Sequence, residues 1–185
     1  MFNKAFDKTM GNEGGFSNDP VDRGGMTYRG IARRYHPSWP GWKEIDKILS
    51  SGGHPDQLFG ILDAQVRAFY KQEFWDRCNC VSLPDILAIK LFDTAVNVGV
   101  STACKWLQEC LNILNRNGKD YADIAVDGKL GLATIKAIAS LKDNNLLLTT
   151  FSFRQGAHYL ALMKSDPSQE RFARGWLKRA KEGLI

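Results

Sequence analysis

Two carboxylic acids in unlike surroundings are the minimum equipment for hydrolysing a glycosidic bond. One must keep a proton for the leaving oxygen; the other must be ionised, to activate water or stabilise a developing oxocarbenium ion. The segment Asn12 to Ile31 offers such a set. Glu13 stands just before Gly14-Gly15, where the i, i+4, i+8 spacing of Phe2, Phe6 and Met10 predicts a helix to end. A carboxylate in a last helical turn is disfavoured by ~0.3–1 kcal/mol through the helix dipole. With burial against Phe16 this would raise the pKa of Glu13, as a general acid at neutral pH requires. Asp19 and Asp22 follow in a turn-rich stretch, and Gly24-Gly25 lets backbone approach a bulky ligand. Asp22 is the first choice for the second carboxylate and Asp19 the alternate, with Thr27 suited to orienting a water. Taken singly, Glu13 reads as an exposed helix-end glutamate and either aspartate as a turn residue.

These groups must be held by a fold that is mainly α. The stretch Phe16 to Gly25 is the one place where a short β-hairpin or irregular loop is expected. A helical stretch is predicted from Tyr28 to Tyr35, then a rigid connector rich in Trp and Pro, then a helix from Lys43 to Leu49. Asp56 can cap a long helical segment to Trp75. Further helices are expected from Pro84 to Gly99, from Ser101 to Leu114, and over residues 132–141, 146–163 and 169–181. A boundary near Gly99 to Ser101 divides a catalytic region, 1–99, from a helical region, 100–185, with the two packed into one globular unit.

Composition narrows the classes. With 185 residues, 44% hydrophobic and 24% charged, the chain is globular rather than disordered or fibrous. No apolar run approaches the ~18 residues a membrane span needs, so no membrane insertion is expected. The start of the chain lacks the pattern of a secretory signal, so export would use another route. Cys78, Cys80, Cys104 and Cys110 lack zinc-site spacing and read as reduced thiols. No metal and no cofactor are expected. An excess of 25 basic over 20 acidic residues leaves a net charge of +5, favouring an anionic partner: nucleic acid, membrane surface or envelope polymer.

The block Asn-Glu-Gly-Gly-Phe-Ser-Asn-Asp-Pro-Val-Asp-Arg-Gly-Gly-Met-Thr-Tyr-Arg-Gly-Ile, residues 12–31, resembles the signature of the glycoside hydrolase 108 family. That family contains N-acetylmuramidases of phage and prophage endolysins and proteins labelled secretion activators. The order helix, Glu, hairpin, Asp, Thr is also similar to phage-type lysozymes, although Thr27 sits one residue closer to its glutamate than in that pattern. The segment Phe92 to Gly99 is similar to a cleft-lining helix of the same enzymes. Asp93 and Asn97, at i and i+4, share one helix face and can both point at a sugar; alternatively Asp93 ties two helices together. Tyr28 is a further sugar contact, and Trp39 or Trp42 a stacking platform or ordinary packing. Residues 126–134 resemble the Asp-Gly-x-x-Gly-x-x-Thr element of peptidoglycan-binding modules, an element that also serves as a turn leading into a helix. The end of the chain, Arg171 to Lys181, also resembles these enzymes. It sets Arg171, Arg174, Lys178 and Lys181 on one helix face opposite Phe172, Trp176 and Ala180.

The resemblance implies a lysozyme-like helical fold and hydrolysis of the β-1,4 bond between N-acetylmuramic acid and N-acetylglucosamine. Glu13 would be the general acid, acting on peptidoglycan glycan strands in the periplasm or cell wall after export or holin-type release from the cytoplasm. A non-catalytic peptidoglycan-binding or secretion-regulating protein is the alternative. Nucleic acid is not an expected partner, because a binder built on the C-terminal basic stripe leaves the acidic, Gly-rich block unexplained.

Overall fold

The computed structural model describes residues 1–11, 15–18 and 25–182. Among them are eight α-helices and one small three-stranded antiparallel sheet, so the chain is mainly α with its β structure after the first helix. It divides into two compact units, Phe2–Glu73 and Phe74–Ile185.

In the first unit, α1 (Phe2–Met10) buries Ala5, Phe6, Thr9 and Met10. The helix closes at Met10 and Gly11 lies in a turn, so the helix expected to reach Glu13 is shorter than its apolar spacing suggested. Glycine is a poor helix former, and it stops the run as soon as the apolar stripe ends. Strands β1 (Phe16–Ser17), β2 (Thr27–Tyr28) and β3 (Ile31–Ala32) pair in that order, with Ser17 opposite Thr27 and Tyr28 opposite Ile31. This corrects the helix expected from Tyr28 to Tyr35. Arg29 and Gly30 both have positive φ, 45° and 79°, which makes them the two central residues of a tight hairpin turn. Helix α2 spans Gly41–Ser50. The single long helix expected from Asp56 is broken instead into a 3-10 turn (Pro55–Leu58), α3 (Asp63–Tyr70) and a π-helical stretch (Lys71–Asp76). The first of these turns is capped by the His54 side chain, which accepts from Asp56 N–H.

In the second unit, a 3-10 turn (Cys80–Ser82) leads to α4 (Asp85–Val98), which Gly99 separates from α5 (Val100–Leu114). An irregular segment precedes α6 (Leu132–Ser140); then come α7 (Asn144–Ser165), a 3-10 turn (Pro167–Phe172) and α8 (Ala173–Lys181). Helices α4, α5 and α7 bury Leu91, Phe92, Leu107, Leu111, Leu147 and Phe151 completely. On α8 the expected apolar face is present: Trp176 stacks on Tyr159 at 5.1 Å, and Ala180 packs with Tyr159 and Met163. All four cysteines are buried and free; the Cys104 thiol lies 3.9 Å from that of Cys78. Burial pushes the thiol pKa of Cys110 up to about 12; that of Cys104 is raised by its contact with the Cys78 thiol and by burial, and that of Cys78, lowered by Cys104 but raised by Cys80 and burial, is raised on balance.

Lys90, only 4% exposed, fixes the end of α8. Its ammonium donates to the carbonyls of Arg179 (2.8 Å) and Ala180 (3.0 Å), groups that a helix C-terminus leaves without an intrahelical partner and that carry the negative end of its dipole. Lys90→Met keeps the apolar stem but removes this cap. It is expected to cost ~1–3 kcal/mol, the price of a buried hydrogen-bonded charge lost with its acceptors left behind, measured by chemical denaturation.

Candidate functional site

Glu13, Asp19 and Asp22 lie outside the described residues. Glu13 falls between the end of α1 and Gly15, while Asp19 and Asp22 belong to the connection whose ends are closed by the pairing of Ser17 with Thr27. The argument that put Glu13 in the last turn of α1 does not carry over, because that helix ends at Met10.

Both flanks of this acidic segment are anchored through polar groups. Asp56 accepts a hydrogen bond from Phe16 N–H at 2.8 Å, and the carbonyl of Gly15 accepts from Arg29 N–H at 2.9 Å. A side chain at position 15 has no room, since a Cβ there would fall 2.0 Å from the Asp56 carboxylate. Arg29, at the turn of the hairpin, is drawn inward: its side chain is 6% exposed and donates to Asp63 at 2.9 Å. Its guanidinium also lies 4.2 Å from the centre of the Phe59 ring, a favourable cation–π arrangement. Asp63 accepts from Arg67 at 2.7 Å, and Arg67 in turn donates to Asp7 of α1 at 2.7 Å. One chain of charges therefore joins the hairpin, α3 and α1. The two arginines hold the Asp63 carboxyl below the usual carboxylate range. Tyr70 closes the arrangement by donating to the Arg29 carbonyl at 2.9 Å. Gly30 has to be glycine twice over: its φ is positive, and a Cβ would meet the Tyr70 hydroxyl at 2.4 Å.

Thr27 is partly buried on β2, and its hydroxyl donates to the carbonyl of Gly25 at 3.1 Å. That commits its proton and leaves its lone pairs as acceptors for a water. Tyr28 is fully buried, its ring stacked on Trp39 at 6.0 Å, and burial pushes its pKa up. With no exposed surface it cannot be the sugar contact expected of it. It faces inward because Tyr28 and Ile31 form one cross-strand pair on the buried side of the hairpin. Trp39 and Trp42 are buried too, packed edge to face at 5.2 Å, and Trp42 donates to the His36 carbonyl at 2.7 Å, so of their two readings packing is the observed one. A cavity of about 390 Å³ opens beside them, lined by His36, Trp39, Gln65, Phe69, Gln72 and Glu73.

Asp93 and Asn97 sit on α4 in the second unit, where both are engaged by other helices. The Arg179 guanidinium of α8 lies 3.5 Å from Asp93, which is 13% exposed, and Asn97 accepts from the Tyr159 hydroxyl of α7 at 2.7 Å. Asp93 thus ties two helices together, the alternative its spacing left open. Asp127 of the Asp-Gly turn is bound by Gln108 at 2.9 Å and by Lys129 N–H at 2.8 Å, contacts that hold its carboxyl below the ordinary range. The described residues contain no group of His, Cys, Asp and Glu able to hold a metal ion, and no helix among them is long and apolar enough to cross a membrane.

Arg29 and Asp63, the centre of the charge chain, are absent from the expected site. For the turn at Arg29 the one local hint was Gly30, a turn former between the apolar Tyr28 and Ile31; Asp63 carries no local signal.

A sequence profile described as Glycosyl hydrolase 108 matches residues 6–99, just over half of the 185-residue chain. The chain belongs to the glycosyl hydrolase 108 family. The match spans the whole acidic block, the hairpin and α4. A second profile, described as Predicted Peptidoglycan domain, matches residues 102–181, in the order that the sequence resemblance implied. The solved structure titled "Structure of Brucella abortus SagA" superposes with a TM-score of 0.69 at 20% identity, covering 99% of this chain and 91% of that one. The likeness concerns the fold, which is mainly α and lysozyme-like. No curated protein sequence matches this family 108 member significantly. The two profiles meet between residues 99 and 102, whereas the compact units divide after Glu73.

Asp63→Asn tests the charge chain. It leaves the nearly buried Arg29 guanidinium without its anion, and because Asp63 itself is 33% exposed the expected loss is discounted to about 2 kcal/mol at neutral pH. A carboxyl held low stabilises the fold above its unfolded pKa of about 3.9, and that contribution is lost as pH falls through the lower folded value. Denaturation curves should therefore show the gap between wild type and variant closing below about pH 4.

Proposed function

We infer that this protein is a peptidoglycan hydrolase that cleaves the β-1,4 bond between N-acetylmuramic acid and N-acetylglucosamine by carboxylate general-acid catalysis. The observation that carries the reading is the family 108 match over residues 6–99, a span that contains Glu13, Asp19, Asp22 and Thr27. The peptidoglycan-domain match over residues 102–181 supports the same polymer as partner.

Glu13 donates its proton to the glycosidic oxygen as the C–O bond breaks. Asp22, with Asp19 as alternate, provides the second carboxylate, which stabilises the positive charge developing at the anomeric carbon or takes a proton from the incoming water. Thr27 contributes an acceptor: its hydroxyl proton is already committed to the Gly25 carbonyl, so an oxygen lone pair can orient that water. The hydrogen bonds at Phe16 and Arg29 support this assignment by fixing described backbone next to the acidic residues. Asn97 and Asp93 have internal partners, so they serve by shaping α4 rather than as the principal sugar ligands. The activity belongs in the periplasm or cell wall, reached by export or through a holin-type pore, as for an endolysin or a secretion-activating muramidase.

Glu13→Gln should leave the fold unchanged by circular dichroism and lower the release of reducing ends from purified sacculi by ~10²–10⁴-fold. Of Asp22→Asn and Asp19→Asn, the variant at the participating carboxylate should show a loss of similar size. Mass spectrometry of the soluble muropeptides identifies the sugar at each new reducing end, which is N-acetylmuramic acid on this reading. Wild-type protein that sediments with sacculi yet liberates no reducing ends would replace the hydrolase with a non-catalytic wall-binding protein.

A further inference from the structure

In the second unit α7 is apolar on two opposite faces. One packs inward through Leu147, Phe151, Tyr159 and Met163. The other leaves Leu146, Phe153 and Leu160 in solvent, Phe153 at 65% exposure and Leu160 at 56%. These three recur at i, i+7 and i+14, so they form one stripe about 21 Å long at the helical rise per residue. An amphipathic surface helix needs only its inward stripe, and a second one on the outside marks a surface that meets something other than water. Beside it a groove of about 320 Å³ runs between α7 and α8, with Phe153, Ala157, Leu160, Leu177 and Lys181 among its walls. A Cβ on Gly156 would come 3.9 Å from that of Ala180, so glycine there keeps the groove one methyl deeper.

The charges bordering this face are of one sign. Lys164 continues the α7 stripe one turn beyond Leu160, and Arg174, Lys178 and Lys181 recur at i, i+4 and i+7 on α8, flanking Leu177. All four are exposed. Neither helix contains an aspartate or a glutamate. Asp143 and Asp166 are spent as N-caps of α7 and of the 3-10 turn that follows it, and Glu170 and Glu182 lie in the segments before and after α8. The other two arginines of these helices are directed elsewhere: Arg154 donates to Glu109 at 2.9 Å and Arg179 lies against Asp93.

We propose that this face of α7 and α8 docks on the surface of an anionic phospholipid bilayer, with Leu146, Phe153, Leu160 and Leu177 among the upper acyl chains and Lys164, Arg174, Lys178 and Lys181 at the phosphates. Apolar side chains ringed by lysine and arginine are what a helix lying in a lipid interface presents. The basic excess of the chain is compatible with nucleic acid, envelope polymer or membrane surface, and only the last has an apolar layer beneath its charges. Nucleic acid and wall polymers are hydrated throughout and would leave Phe153 and Leu160 facing water. A second copy docked through the same face would set cation against cation, because a two-fold interface joins identical patches. The docking is peripheral: no helix among the described residues is long and apolar enough to cross the bilayer. Lipid would hold the second unit while leaving the polymer to the hydrolytic residues of the first.

The test is flotation of the full chain with two sets of lipid vesicles, one of equal parts phosphatidylglycerol and phosphatidylcholine, the other of phosphatidylcholine alone. The chain should float with the first and stay in solution with the second. Phe153→Ser and Leu160→Ser should each weaken partitioning about tenfold, as expected for one large apolar side chain withdrawn from the lipid. Lys164→Gln and Lys181→Gln should each weaken it about fivefold, and added salt should release the wild type. All four positions are exposed, so circular dichroism should be unchanged. Absence of flotation, equal flotation with both vesicle sets, or wild-type partitioning of both serine variants would overturn the proposal. So would a dimer in analytical ultracentrifugation that Phe153→Ser dissociates, which would give the face to a second copy. Phe153→Ser should sediment with lipid-free sacculi as the wild type does; lost sedimentation would give the face to the wall polymer instead. Flotation is read without any digestion, so failure of the hydrolase reading leaves the lipid result standing and failure of flotation leaves the hydrolase.

Discussion

Asp63 is the pivot of the first unit. It sits at the start of α3 and takes hydrogen bonds from Arg29 on the hairpin and from Arg67 one helical turn along, while Arg67 reaches Asp7 on α1. A guanidinium as buried as that of Arg29 is tolerated only with an anion beside it, so the position of the hairpin follows from the position of α3. The backbone obeys the same constraint. Arg29 occupies a left-handed conformation that a non-glycine residue adopts only when its surroundings insist on it. The Asp63 contact, the Tyr70 hydroxyl on the Arg29 carbonyl and the bond from Arg29 N–H to Gly15 supply that insistence. The described backbone at Gly15, Phe16 and Arg29, next to the acidic residues in sequence, is fixed in this way.

The second unit solves a different problem with polar stripes on helices. On α4, Lys90, Asp93 and Asn97 recur at i, i+3 and i+7 and are all spent on α7 and α8. On α5 and its C-terminal cap, Gln108, Asn112 and Asn115 recur at i, i+4 and i+7 and hold the irregular segment that follows. Asn112 exchanges two hydrogen bonds with the backbone of Ile124, at 2.8 and 2.9 Å, and Asn115 donates to Asp123. A stretch without secondary structure carries backbone groups that need partners, and these side chains provide them. Side-chain amides suit the task because each presents donors and an acceptor together.

Much of this architecture was legible in the sequence, above all the second unit. Its helices carry apolar stripes of helical period with clear breakers, and α4 through α8 fall within a few residues of where that periodicity puts them. The first unit was harder. Tyr28, Ile31 and Tyr35 recur at i, i+3 and i+7, the spacing of a helix face, yet the Arg29-Gly30 turn makes them parts of a hairpin and its exit. Local periodicity cannot register a turn whose conformation is set by a carboxylate 34 residues away. The same limit applies to site residues. Asp93 and Asn97, at i and i+4 on one helix face, read as sugar contacts, with a tie between two helices as the alternative for Asp93. Their partners, Arg179 and Tyr159, are 86 and 62 positions further along the chain, and only the tertiary fold brings them near. The Asp-Gly turn was identifiable because its signal lies within a few residues.

The four thiols of the second unit carry one more implication. Each is sealed within the core and shifted toward its protonated form where a shift is seen, so neither nucleophilic character nor access is available while the helices stay closed. The folded chain should consequently be indifferent to the redox poise of whatever compartment holds it. A maleimide or disulfide reagent would then act as a clock, reacting only as often as α5 and its neighbours come apart and timing their breathing without an introduced label.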